Sequence, residues 1–125
     1  MTDAALAVAK RYYEAWTNGR MDEAMTYVDD AIVCEAPAGR IDGAAAYRAF
    51  LEPFARTLRA SRLIAAFGDA STALIMYDTE TGPVPSAPGA ECLTVVAGRI
   101  VHSRFLFDRA PFEAARRVAA ERPTS

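Results

Sequence analysis

The hydrophobic period changes once along this chain, near Ala60, and that switch constrains the fold more than any motif. Before it, apolar residues recur every three to four positions, the spacing of one face of a helix. Leu6, Ala9, Tyr13 and Trp16 make such a face over Asp3–Thr17, widened by Ala5, Val8 and Tyr12. Asn18-Gly19 ends it, because glycine adopts the left-handed conformation of a helix C-cap without steric cost. A short helix is predicted from Met21 to about Val28, closed by Asp29-Asp30, followed by the β-rich run Ile32–Ala36. A third helix after Asp42-Gly43 carries Tyr47, Phe50, Leu51, Phe54 and Leu58 on one face, and Pro53 inside it predicts a kink or two abutting pieces.

Beyond Ala60 the period is two, that of a half-buried strand. Arg62–Phe67, Thr72–Thr79, Glu91–Val96 and Arg99–Phe107 read as strands, with Gly68-Asp69 and Ala97-Gly98 as tight turns. Thr81–Gly89 holds three prolines and two glycines and reads as a loop. A last helical segment, Pro111–Ala120, follows, with Asp108 placed to cap it. Helices first and a strand meander second indicate an α+β fold, a curved antiparallel sheet wrapped over three N-terminal helices. At 125 residues there is room for one core, so a single domain is expected over residues 4–120, with a polar tail over 121–125.

Composition narrows the function classes. A net charge of −2 and a pI near 5.4 lack the basic footprint of a nucleic-acid binder or a partner of acidic membranes. No apolar run reaches the roughly 18–20 residues of a membrane helix, and no signal-like segment opens the chain, so a cytoplasmic protein is the expectation. Cys34 and Cys92 do not make a disulfide framework or a metal finger. With a single histidine, His102, and no glycine-rich phosphate loop, neither a bound metal nor a nucleotide cofactor is expected.

The order of elements, with several local motifs, resembles the nuclear transport factor 2-like superfamily, which includes ketosteroid isomerase, SnoaL-like polyketide cyclases and limonene epoxide hydrolase. The motifs are Arg11-Tyr12, Asn18-Gly19 with Met21-Asp22, Val28-Asp29-Asp30-Ala31, Gly43-Ala44-Ala45-Ala46-Tyr47, Gly98-Arg99-Ile100-Val101 and Phe107-Asp108. The resemblance implies a cone-shaped half-barrel around a deep pocket, often dimeric through the outer sheet face. Set against ketosteroid isomerase without gaps, Tyr12 falls at its oxyanion-hole tyrosine and Glu91 at its protonated acid. The position of its catalytic base falls on Ala36, and the adjacent Glu35 faces the other way.

Alternation along the strands gives the candidate pocket residues. Leu74, Met76 and Asp78 are read as inward on one strand, and Glu91, Leu93 and Val95 on the next. Val101, Ser103, Phe105 and Phe107 on the last strand, and Cys34 and Ala36 on the first, join them. Trp16 and Tyr12 come from the first helix, Phe50 and Phe54 from the third. The outward set is His102, Arg104 and Leu106 with Arg62 and Ile64, a face a two-fold homodimer would bury. An apolar chamber with few polar groups suits a small molecule.

The leading reading is a cofactor-independent isomerase, cyclase or dehydratase acting on an apolar, carbonyl-bearing metabolite. Tyr12 and Glu91 would stabilise an enolate-like oxygen, and Asp78 would transfer the proton. The alternative is a non-catalytic binding or dimerisation module, in which Tyr12 is a core aromatic, Glu91 and Asp78 are solvated strand residues and Cys34 is a small buried hydrophobe. An epoxide-hydrolase-like site is weaker, since it needs an inward arginine between two acids.

Overall fold

The structure, a computed structural model, describes residues 4–121; the first residue of the expected opening helix, Asp3, and tail residues 122–125 lie outside them. Helix α1 (Ala4–Thr17) and the short α2 (Met21–Met25) precede strand β1 (Val28–Ala36) and its hairpin partner β2 (Gly39–Asp42). Helix α3 (Ala44–Thr57) leads into β3 (Leu58–Gly68), β4 (Thr72–Thr81), β5 (Ala87–Val96), β6 (Arg99–Phe107) and α4 (Ala110–Glu121). The α+β class and curved, open sheet agree with the sequence reading. The six strands run in the order β2-β1-β6-β5-β4-β3, antiparallel except for the β1–β6 pair, which is parallel.

Several boundaries differ from the periodicity, each for a physical reason. The second helix stops at Met25, and Val28, its expected end, belongs to β1 together with Asp29 and Asp30, expected to close it, because Val28 pairs with Ile100 of β6. The β1–β2 hairpin had no strong signal, since only Ile41 of β2 is apolar. Leu58, expected on the helical face, opens β3 instead, four residues before the expected start at Arg62, and pairs with Thr81. Pro53 sits inside a continuous α3. The Pro-rich segment is partly strand: Ala87, Pro88 and Gly89 pair with Thr79, Asp78 and Tyr77.

The Ala97-Gly98 turn does form, with both residues at positive φ (51° and 79°), the geometry of a two-residue hairpin that follows the sheet's twist. Asp69 anchors the β3–β4 turn by accepting the amide protons of Ser71 and Thr72, each at 2.9 Å, which holds its carboxyl below the ordinary pKa. Asp108 accepts the Ala110 amide proton at 3.0 Å at the start of α4.

Register shifts at Leu58/Ala60 and Leu63/Ala65 in β3–β4, and at Thr94/Val95 in β5–β6, bend the sheet. Helix α1 packs across β3, β4 and β5 and α3 against β1, so the core lies between the helices and the concave face. Trp16, Tyr12, Tyr47 and Tyr77 are its largest fully buried side chains.

Candidate active site

Two paired residues on neighbouring strands share a face, so one inward residue fixes its neighbours. Glu91 of β5 is fully buried, and it pairs with Ile75 of β4 and Phe105 of β6; that row faces the helices. The row next to it, Leu74, Cys92 and Arg104, faces away. The expected inward set on β4 is therefore corrected by one residue: Ala73, Ile75, Tyr77 and Thr79 are buried, whereas Leu74 is 51% and Met76 43% exposed. Asp78 is also on the outer side, where its carboxylate meets Arg62 at 3.1 Å. Both parities of β4 contain bulky apolar side chains, and a loop of uncertain length precedes β5, so alternation alone did not set the register. Val101 is corrected too, because the bulge beside Val95 makes Ile100 the buried residue and leaves Val101 half-buried.

Glu91 meets a cluster of tyrosines inside the core. Tyr77 Oη donates to Glu91 Oε2 at 2.9 Å, and Tyr47 Oη to Oε1 at 3.4 Å. The Tyr12 hydroxyl hydrogen-bonds that of Tyr47, which makes Tyr12 the outer member of a chain of hydroxyls. Burial raises the Glu91 pKa to about 7, with the tyrosine hydrogen bonds pulling it down. The same burial, with the Glu91 charge second, pushes Tyr12, Tyr47 and Tyr77 well above the ordinary phenol value. Cys34 pairs in register with Ser103, and its thiol is raised to about 11, chiefly by burial, which keeps it an inert thiol at neutral pH. Two buried polar atoms, Trp16 Nε1 and Ser103 Oγ, have no hydrogen-bond partner among the described residues.

The remaining expected residues divide into two groups. Trp16, Cys34, Leu93, Val95 and Ser103 are buried on the concave side. Phe50, Phe54, Phe105 and Phe107 line a cleft of about 60 Å³ between α3, the ends of β4–β6 and α4. Among the described residues that line the cleft, Tyr77 and Thr79 are the two with hydroxyls, and Thr79 donates its own to the Ala87 carbonyl at 2.7 Å. Tyr77 is thus the residue common to the cleft and the Glu91 cluster. Its ring lies over Gly89, where a Cβ would stand 3.0 Å from Tyr77 Cε2, so the absence of a side chain there makes room for the ring. Trp16 packs edge-on against Tyr77 at 5.6 Å and beside Phe54 at 6.1 Å, just behind the cleft. The deep hollow implied by the resemblance is in large part filled by these rings.

Tyr47 and Tyr77, which meet Glu91, were not among the candidate site residues read from the sequence. The signal for Tyr77 was present: a tyrosine two residues after Ile75 and directly before an acid that has Arg62 available outside. Outside, His102 Nε2 donates to the Glu35 carboxylate across 2.9 Å, which places the single histidine away from the cluster, as its alternation indicated. Glu91 is the one buried ionisable carboxylate or base among the described residues.

The comparisons with known proteins agree with this fold. No curated protein matches the chain. A crystal structure of a Kribbella flavida protein is 59% identical, covers 96% of this chain and 99% of its own, and superposes with a TM-score of 0.93. A candidate ketosteroid isomerase from Kribbella flavida is 19% identical over 86% of this chain and 79% of its own, with a TM-score of 0.72. A candidate polyketide cyclase from Sinorhizobium meliloti is 16% identical over 80% and 94%, with a TM-score of 0.70. At that identity the last two share the fold. The SnoaL-like domain model matches residues 9–103, most of the length of the folded chain, and the protein is a member of the SnoaL-like family.

Proposed function

We propose that the chain is a cofactor-independent enzyme that activates the carbonyl group of a small apolar molecule for isomerisation or cyclisation. The observation that carries this reading is the hydrogen bond that joins Glu91 to Tyr77, a residue that also lines a predominantly apolar cleft. When Glu91 is protonated it donates to Tyr77 Oη, and the Tyr77 proton is then free to point at a ligand oxygen. Negative charge developing on that oxygen meets a donor already in place and shielded from water. Tyr47 and Tyr12 extend the network behind Glu91 and spread the charge further. With Asp78 outside and Ala36 at the position of the isomerase base, the α-proton leaves to water or to a basic group of the substrate itself.

The test is deuterium exchange at the α-carbon of small cyclic enones, followed by NMR. Exchange is expected with the parent protein, and a loss of at least about tenfold in Tyr77→Phe and Glu91→Gln with circular dichroism unchanged. Tyr12→Phe, two hydroxyls from the cleft, should lose less. Because the active form keeps Glu91 protonated, the rate should fall as pH rises through about 7. Absence of exchange in the parent protein counts against catalysis.

A second reading, a binder of apolar ligands without catalysis, is favoured by one observation: among the described residues, the cleft lining includes Tyr77 and Thr79 as its polar side chains and no base. Retention of a ligand through purification, seen by mass spectrometry alongside absent exchange, would select it. In either reading a homodimer through the outer sheet face is supported by the exposed Ile64, Phe67, Leu74, Met76 and Leu106. Light scattering at micromolar concentration should give twice the 13.5 kDa chain mass, and Phe67→Asp should return it to one.

A further inference from the structure

The cleft is too small for the molecule it is proposed to hold. A cavity that takes up a single benzene ring measures about 150 Å³, and ordinary small-molecule sites run from about 300 Å³ upward. The space here is about 60 Å³. Either a wall moves or nothing of metabolite size enters.

The walls are not held equally. Tyr77, Thr79, Ala87, Gly89 and Phe105 lie on paired central strands and are buried. Leu51 is buried on α3, next to Tyr47 of the tyrosine cluster by one helical turn. Phe112 differs. It is the cleft residue contributed by α4, a helix with no fully buried side chain. Its ring stacks edge-on against Phe54 at 5.9 Å and Phe107 at 5.8 Å. Val118, six residues further along α4, is 55% exposed. The helix is thus attached chiefly through one aromatic ring and through its short link to β6, with Asp108 holding the Ala110 amide.

The geometry points to Phe112 standing in the ligand's own place: the binding chamber is the cleft plus the volume of this ring, and α4 swings off as a flat, uncharged, apolar ligand enters. This inference rests on the cleft being the ligand site. The ring and the ligand compete for the same aromatic partners, Phe54 and Phe107, and the edge-on arrangement of Phe112 against them is one that a ligand ring can reproduce. Lack of charge follows from the lining. No charged side chain is among the described residues that line the cleft, so a ligand carrying a full charge would be buried there without an ion-pair partner, which is strongly unfavourable.

The experiment uses the full chain, with 4-fluorophenylalanine in place of Phe112, and N-phenyl-1-naphthylamine, a neutral fluorescent probe. Probe binding should shift the fluorine resonance toward its solvent value. Phe112→Ala should bind the probe about tenfold more tightly, since a competing ring of half-buried phenylalanine is gone. Ala87→Phe, which fills the cleft from the strand side, should abolish binding, whereas Phe67→Ser on the outer face should not; circular dichroism checks the fold of each. A bound probe with an unchanged fluorine signal and unchanged affinity in Phe112→Ala overturns the displacement and leaves the cleft reading standing. Binding that survives Ala87→Phe, or that is absent from both the parent and Phe112→Ala, removes the cleft as the site and the displacement with it.

Discussion

Asp78 and Glu91 lie on adjacent strands of one sheet, and the two faces of that sheet give them opposite chemistry. Asp78 is on the convex side, 38% exposed at its side chain, with the 76% exposed Arg62 beside it. Water and a mobile guanidinium solvate its charge, and the pair contributes little. Glu91 is on the concave side, where among the described residues no arginine, lysine or histidine is buried with it and its partners are tyrosine hydroxyls. Hydroxyls stabilise a carboxylate less than a cation does, so burial dominates and the proton is retained to about pH 7. Which face a strand residue meets thus decides whether a carboxylate is a solubilising charge or a proton donor.

The contrast can be broken most strongly at Glu91. Its folded pKa of about 7 stands above the ordinary 4.5, so between those values the folded chain binds more protons than the unfolded one. Its contribution to stability is therefore complete below about pH 4.5 and lost as pH rises to about 7. The loss is on the order of 3 kcal/mol, from about 1.4 kcal/mol per unit. Denaturant unfolding of wild type and Glu91→Gln across pH 4–8 should show this: wild type loses stability relative to the variant as pH rises. A difference independent of pH would mean that Glu91 is not held in a desolvated site.

Gly89→Ala comes next. The new methyl group would press on Tyr77, the link between acid and cleft, and should destabilise by about 1–2 kcal/mol, with the tyrosine fluorescence altered. Stability equal to wild type would show that the ring has room to shift, and would weaken the case for a fixed Tyr77 donor. Asp78→Asn should change least, by less than about 0.5 kcal/mol, with enone exchange unaffected. A large loss of exchange there would reverse the comparison and restore Asp78 as a site residue.

Much of the fold was legible because its evidence is local. The i, i+3, i+4, i+7 spacing of Tyr47, Phe50, Leu51 and Phe54 specifies α3 whatever surrounds it, and Ala97-Gly98 specifies a hairpin turn. Glu91, Ser103 and Phe105 were placed inward by alternation within their own strands, and they meet only because of the bulge at Thr94/Val95. Counted straight back from the turn, Glu91 would stand opposite Arg104, and the extra residue brings it opposite Phe105. The error on β4 has another cause. Its neighbour β5 is reached through a Pro-rich segment, and a one-residue change across such a segment exchanges every side chain between faces. Leu74, Met76 and Asp78 were therefore read as the concave set, and Tyr77 was lost from the site.

By itself, then, the sequence determined the helical faces, the turns, the α+β class and the presence of one acid on the strand that became β5, since each depends on residues close along the chain. Tertiary structure alone decided that Glu91 faces tyrosines from three different elements, α1 (Tyr12), α3 (Tyr47) and β4 (Tyr77), and that Phe112 of α4 closes the cleft. Those groups are separated by tens of residues, and only the pairing register and the bend of the sheet bring their side chains to one place.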